Sequence, residues 1–405
     1  MQPVDRQGRG HTAVGSLAGT NLERAGDYNQ RVTLQAIRVN GPITRVDLAR
    51  LTGLTTPAIA NITHRLLNEN LILEVGRLHG RRGQPAIRLA INPDGCFSIG
   101  INIDRDHVTV VALDVTGSVR ARATQEIDFA LPDQVVAFSR KAIGAMLESK
   151  RVPPDRIIGI GIALPDDLGR VSLPNRPSSY GVWSAVDVTR LFADVLPLPV
   201  FVENDATAAA IGELQFGHGL RSPSFFYILI SAALGGALVI EGNVFRGADG
   251  RSGEIGFLPL RSRRTDARSL QEVVSLSALY ERLVAVGHQI SRPEQIEGSS
   301  ESAQAVISEW LDASADFLAD PLIAISCLVN PKAVFIGGRL PAALVDRLAE
   351  RLNQRLRKRA GDVPAIAPVV RAAMASDAPA IGAAILPLNE RLLPSRSALM
   401  KTAVE

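Results

Sequence analysis

The chain has 405 residues, 46% of them hydrophobic, 21% charged and 4% aromatic. That is enough aliphatic material for a large core and for two or three domains, so wholesale disorder is excluded. Two cysteines, Cys96 and Cys327, exclude a disulfide framework and a four-cysteine zinc site, and the net charge of +3 hides a basic head: residues 1–95 hold 12 arginines, no lysine and 7 acidic residues.

A basic N-terminal part on a near-neutral body suits a nucleic-acid-binding domain, although a solvated face has the same signature. Residues 1–28 are polar, glycine-rich and aperiodic, and are expected to form a mobile tail without a signal peptide. From Asn29 to Asp94 the pattern predicts a compact helical domain closed by a hairpin. Leu34 and Ile37 give a first helix one apolar stripe, which Gly41-Pro42 ends. Thr44 with Asp47 three residues on resembles a capping box. A second helix with apolar Val46, Leu48, Ala49 and Leu51 follows, and Gly53 supplies a tight turn. Thr56 reads as the N-cap of a third helix with Pro57 at its first position. Ile59, Ile62 and Leu66 form its core stripe. The opposite face offers Thr55, Thr56, Asn61, His64 and Arg65, side chains able to bond base edges or phosphates.

Two helices joined by a glycine turn, the second with a polar N-terminal face, predict a helix-turn-helix, with a plain three-helix bundle as the alternative. The stretch 71–92 reads as strand, turn, strand, with Gly80-Arg81-Arg82-Gly83-Gln84-Pro85 at its tip. Such a wing can lay Arg81 and Arg82 into a minor groove. The tip is similar to the Arg-Gly-Arg-Pro core of AT-hook peptides, with Gln84 in place of the second arginine.

The turn cluster Asn92-Pro93-Asp94-Gly95 marks a boundary, and residues 95–405 form the body. Short aliphatic runs at 98–103, 108–113, 157–163, 199–202, 225–230 and 333–338 predict strands. Helix-length stretches at 133–149, 206–216, 302–328 and 341–360 lie between them. Continuous rather than alternating apolar strands predict sheets covered on both faces, an α/β body. Its length is compatible with two similar lobes. The charge-free run 222–240 is long enough on paper to span a bilayer. Its Ser-Pro-Ser start and central Gly-Gly instead predict two buried strands around a loop, so a soluble cytoplasmic protein without a membrane partner is expected.

Several motifs carry a resemblance. The head reads TRVDLARLTGLT (44–55). The body reads GIALP (161–165), PN (174–175) with Trp183, VENDATAAAIGE (202–213), RGADGRSGEIG (246–256), NPKAVFIGG (330–338) and DAPAIGAA (377–384). In this order they resemble the ROK family of repressors, open reading frames and sugar kinases. The resemblance implies a winged helix-turn-helix followed by a two-lobed, actin-like ATPase fold with a sugar cleft between the lobes. It also implies a homodimer or homotetramer.

In the family's kinases the first phosphate motif is Asp-x-Gly-Gly-Thr; here the stretch is Asn102-Ile103-Asp104-Arg105-Asp106. The second, Gly-Thr-Gly-x-Gly-Gly-Gly, aligns with Ser231 to Ala237. Backbone amides of glycine and a metal-linked oxygen are what cradle ATP phosphates. With an amide, charged side chains and alanines in their places, kinase-type ATP binding is expected to be lost, and no cofactor is expected. The sugar side retains more. The resemblance assigns sugar contacts to Asn175, Asn204, Asp205 and Glu254, with Asp205 at the position of the kinases' general base and here vestigial. Asn204-Asp205 has a plainer reading as a helix N-cap, and Glu254 as a surface acid. The family's histidine zinc ligand is replaced by Phe257, its cysteine-rich loop by 261–269, and the following glutamate by Gln271, so no metal is expected. The function implied is a sugar-responsive regulator, most simply a repressor, that binds double-stranded operator DNA and a sugar or sugar-derivative effector. The alternatives are an active sugar kinase with an added head and a constitutive architectural DNA-binding protein.

Overall fold

The computed structural model describes residues 22–78, 86–170, 176–260, 267–374 and 377–394. They form two units. One ends at Ile91 and takes in residues 392–394; the other runs from Asn92 to Arg391.

The first unit begins with α1 (Leu22–Asn40), followed by β1 (Ile43–Thr44), α2 (Arg45–Thr52), α3 (Thr56–Asn68), β2 (Ile72–Leu78) and β3 (Ala86–Ile91). Helix α1 starts at Leu22, ahead of the expected boundary at Asn29. The rest of the predicted tail, residues 1–21, lies outside the described residues. The chain's far end also belongs here: Leu393 is buried, and Arg31 Nη1 donates to its carbonyl. That contact draws residues 392–394 into the head, not into the body where the sequence put them.

The three strands form an antiparallel sheet in the order β1-β3-β2. The core is the expected one. Leu34, Ile37, Leu48, Ile59, Ile62 and Leu66 are all buried, with Ile72 and Leu89 from the hairpin. Each such side chain contributes about 1.5–3 kcal/mol of transfer free energy. Thr44 caps α2 by accepting the Asp47 N–H, while its hydroxyl donates to Asp47 Oδ2 at 2.7 Å. Gly53 ends α2 in the left-handed region at φ 72°, where a side chain would be strained. Two details differ from expectation. Val46 and Leu51 point to solvent, because on so short a helix Leu48 alone faces the core. The N-cap of α3 is Thr55, whose extended backbone and hydroxyl meet the Ala58 N–H, so Thr56 is the first helical residue.

The second unit contains two five-stranded sheets of the same design. One is built from β4 (Phe97–Ile103), β5 (His107–Asp114), β6 (Val119–Glu126), β7 (Ile157–Leu164) and β8 (Val200–Asn204). The other comprises β9 (Phe225–Ile230), β10 (Leu234–Ile240), β11 (Asn243–Phe245), β12 (Ala333–Gly338) and β13 (Val369–Arg371). Their orders are β6-β5-β4-β7-β8 and β11-β10-β9-β12-β13, an antiparallel meander joined to two parallel strands in each. The helices are α4 (Pro132–Glu148), α5 (Val188–Phe192), α6 (Asp205–Phe216), α7 (Leu276–Ala285), α8 (Glu301–Val329), α9 (Ala342–Arg359) and α10 (Ala378–Arg391). Every residue of β4, β5, β9 and β12 is buried, as continuous aliphatic runs require of a covered sheet. The run 222–240 is two antiparallel strands, β9 and β10, and among the described residues no helix is long and apolar enough to cross a membrane.

One crossing fixes the interior. Gly100 of β4 and Gly161 of β7 are register partners, and α10 lies directly on them. A Cβ at either would meet the carbonyl of Ala380 or Ala383. On its other side Gly382 of α10 abuts the Ala208 carbonyl of α6. The N-terminus of α6, where Asn204 and Asp205 stand, is thereby held against the first sheet. A buried carboxylate reinforces this: Glu213 of α6 accepts the amides of His218, Ala373 and Met374 at 2.8–3.1 Å.

Candidate nucleic-acid interface and ligand cleft

In the first unit, α3 separates its two faces cleanly. Ile59, Ile62, Thr63 and Leu66 are buried, whereas Thr55, Thr56, Ala60, Asn61, His64 and Arg65 are all exposed. Thr55 spends its hydroxyl on capping, and His64 Nδ1 lies 3.3 Å from Asn68 Nδ2. Asn61 and Arg65 carry no hydrogen bond of their own side chains among the described residues. The hairpin β2–β3 follows directly, but its tip with Arg81 and Arg82 lies outside the described residues, as does Asn175.

In the second unit, a cavity opens where the carboxyl ends of β4, β7, β8 and β9 meet. Carboxyl ends of strands at such a switch point are where α/β sheets leave a crevice. Asn204, Asp205 and Glu254, widely separated in the chain, all line it, together with Arg105, Asp166 and Arg251. Asn204 Oδ1 caps α6 through the Thr207 N–H at 3.0 Å, as its plainer reading has it, and the residue also lines the cavity. Asp205 is buried, with Oδ1 accepting the Ala206 N–H at 2.7 Å. Burial, then the nearby Asp104 charge, push its carboxyl up to about 7, against the opposing pull of Arg105. Glu254 is no free surface acid: Arg251 Nε and Nη2 donate to its Oε1 at 3.1 and 2.9 Å, and Nη1 reaches Asp167. Burial and the Glu254 charge also raise Asp166. Phe257 stands half-exposed at the cavity edge and Gln271 also lines it.

Sequence reasoning named neither Asp166 nor Arg251 as site residues, although Arg251 lies inside the quoted 246–256 motif. It counted Arg105 only as an erosion of a phosphate motif. The signal available was position, a charged residue directly after GIALP or within a glycine-rich loop.

The turn between β4 and β5 faces two ways. Arg105 lines the first cavity; Asn102, Asp104 and His107 line a second, together with Ser231 and Arg339. Across this second cavity the two sheets are tied by ions. Arg339, which follows β12, donates through Nη1 to Asp106 Oδ2 at 2.8 Å and through Nη2 to Glu126 of β6. His107 Nδ1 lies 2.6 Å from the other Asp106 oxygen, and Asn102 Nδ2 lies 3.1 Å from His107 Nε2. Ligand atoms of Asp104, Asp106 and His107 come within 4.8 Å of one another, but Asp106 spends both oxygens on His107 and Arg339.

Comparison with known proteins fits this architecture. The chain is 28% identical over 363 residues to the uncharacterized protein y4fQ of Sinorhizobium fredii, covering 89% of this chain and 90% of that one. It is 27% identical over 233 residues to the xylose repressor of Bacillus subtilis, a match to 57% of this chain and 60% of the repressor. Identity to the DNA-binding transcriptional dual regulator NagC of Escherichia coli is 23% over 347 residues, 80% of this chain and 83% of NagC. Among solved structures, a ROK family transcriptional regulator homologous to the E. coli MLC protein shares the fold at a TM-score of 0.64 and 22% identity, over 91% of this chain and 98% of that one. A ROK family glucokinase of Streptomyces griseus, in complex with glucose and AMPPNP, shares the body's fold at 0.56 and 20%, over 72% of this chain and 98% of that one. The ROK family model itself matches residues 98–390, spanning both five-stranded sheets, and the chain belongs to the ROK family.

Proposed function

We propose that this protein is a sugar-responsive DNA-binding transcriptional regulator that represses carbohydrate uptake or catabolism genes until a sugar or sugar derivative releases it. The observation that carries this reading is the exposed polar face of α3, set on a buried helix-turn-helix core, in the same chain as a cavity lined by Asn204, Asp205 and Glu254. The names of the relatives, a xylose repressor and NagC, support it. Asn61 and Arg65, with Thr55 and Thr56 at the start of α3 and His64 behind, contact the major groove. Arg81 and Arg82 of the wing contact a minor groove or phosphates. Asn175, Asn204, Asp205 and Glu254 hold the sugar. The active species is a homodimer or homotetramer, since a palindromic operator presents two half-sites about one helical turn apart. A ligand that binds one arrangement better shifts operator affinity about 5–150-fold for a coupling of about 1–3 kcal/mol.

The body is a degenerate kinase in this reading. By the resemblance Asn102 takes the place of the phosphate-motif aspartate; it lines the cavity across which Arg339 reaches Asp106. The kinase reading rests on Asp205 alone; ATP turnover with a hexose panel that is abolished by Asp205→Ala would establish it.

The test is a fluorescence-anisotropy titration on DNA upstream of the protein's own gene and neighbouring operons, repeated with sugars at fixed salt. Tight binding weakened by one sugar is expected. Binding indifferent to every sugar would favour an architectural role. Asn61→Ala is expected to cost about 1–3 kcal/mol and to relax preference at one operator position; an unchanged sequence profile would remove Asn61 from the readout. Arg82→Ala is expected to weaken binding on all sequences and to flatten the salt slope by about one phosphate contact.

A further inference from the structure

We propose that the cavity of the body takes an anionic sugar, a polyol bearing a phosphate or carboxylate group, with that group seated on the Arg105 guanidinium. The inference rests on the reading of this cavity as the effector site and names the chemistry it selects.

Arg105 is 6% exposed and lines the cavity beside Asp205, Ser231 and Gly235. Its hydrogen-bonding capacity is largely unspent. Nε is enclosed and makes no hydrogen bond. Among the described residues its ion pair is Nη1 to Asp104 Oδ1 at 3.5 Å, well beyond the 2.7–2.9 Å of a charge-assisted bond. Asp104 Oδ1 is instead turned to the backbone N–H of Arg105, at 2.7 Å. A buried guanidinium is costly unless it is both paired and hydrogen-bonded. Its planar fork matches the two oxygens of a carboxylate or phosphate. An anion at this point would supply the acceptors that the protein does not.

The acidic side chains of the cavity are offset in part. Arg251 donates to Glu254 and also to Asp167, and so compensates some of their charge. Burial raises the Asp205 carboxyl, which lessens the charge it sets against an anion. Sugar hydroxyls remain to donate to Asp166 and Glu254, whose carboxylates border the same space.

The experiment is calorimetric titration of the full-length protein at fixed ionic strength. The probes are neutral hexoses and pentoses, their phosphate esters, the corresponding uronates, and glucosamine. An anionic sugar is expected to bind at least tenfold more tightly than its neutral parent, and the phosphate and uronate arms identify which anion is preferred. Arg105→Ala is expected to erase that tenfold difference, with Arg105→Lys keeping part of it. Arg105→Gln, a closer shape match, replaces the alanine variant if that one does not fold. Equal or tighter binding of the neutral sugars or of glucosamine would overturn the proposal. So would an anion preference that survives in Arg105→Ala, or no sugar binding at all by protein that still binds its operator. Operator binding without ligand is measured in parallel. Its absence alongside intact, Arg105-dependent sugar binding would count against the regulator and leave the ligand class standing.

Discussion

Gly382→Val is expected to destabilise the body by about 3 kcal/mol or more, the upper range for overpacking. At about 2–4 °C per kcal/mol for domains of a few hundred residues, that lowers its Tm by about 6–12 °C. Gly382 sits where α10 crosses α6, and any Cβ there falls on the backbone carbonyl of Ala208 rather than on a side chain that could rotate away. The opposite side of α10 has no slack, because Ala380 and Ala383 rest on Gly100 and Gly161. The helices can separate only by lifting α10 off two buried strands. Because α6 carries Asn204 and Asp205 at its start, the same substitution is expected to weaken sugar binding. Calorimetric melting of wild type and variant checks this; a Tm within about 2 °C would show that α10 can shift freely and that the crossing is not a fixed point.

Arg339→Ala is expected to cost about 3 kcal/mol, because it removes the cation from part-buried Glu126 and leaves part-buried Asp106 to His107 alone. Arg339 spans from the second sheet to Asp106 and Glu126 on the first, contacts 233 and 213 residues apart in the chain. Burial alone would raise Asp106, but the hydrogen bond and charge of His107, with Arg339 behind them, hold it down to about 2. The sign follows: a carboxyl depressed in the folded state adds stability above its ordinary pKa of 3.8, and that stability is lost as pH falls from about 4 towards 2. Wild type is therefore expected to lose stability over this interval, and Arg339→Ala to lose less of it. Urea unfolding of both proteins between pH 2.5 and 7 tests this. Parallel stability curves, or a loss at pH 7 under about 1 kcal/mol, would show that the Arg339 bridge contributes nothing to joining the sheets.

Much of the fold was legible locally. Short continuous aliphatic runs between turn signals fit strands buried on both faces, and β4, β7, β9 and β12 fall where those runs are. The stripe Ile59, Ile62, Leu66 defined α3 and, by exclusion, its exposed face. What escaped notice lacked such a pattern. Strand β6 is an edge strand with two arginines among its eight residues, partly exposed along its length. Helix α10 is buried on nearly every side, so its glycines, alanines and internal Pro387 show no amphipathic period, although its first residues stood out as a motif. The cap of α3 lies one residue earlier than its composition suggested, since Thr55 and Thr56 are the same residue type and only backbone geometry distinguishes them.

The sequence by itself determined the order of parts, a basic helix-turn-helix ahead of an α/β body, because periodicity and turn chemistry act over neighbouring residues. It also supplied the motifs that bring Asn204, Asp205 and Glu254 to one cavity. Only the tertiary structure decided which way each charge in 104–107 faces. Arg105 enters one cavity, while Asp106 and His107 join Arg339 across another. Adjacent residues of a tight turn diverge, and their partners arrive from strands hundreds of residues away, so no local pattern records the pairing.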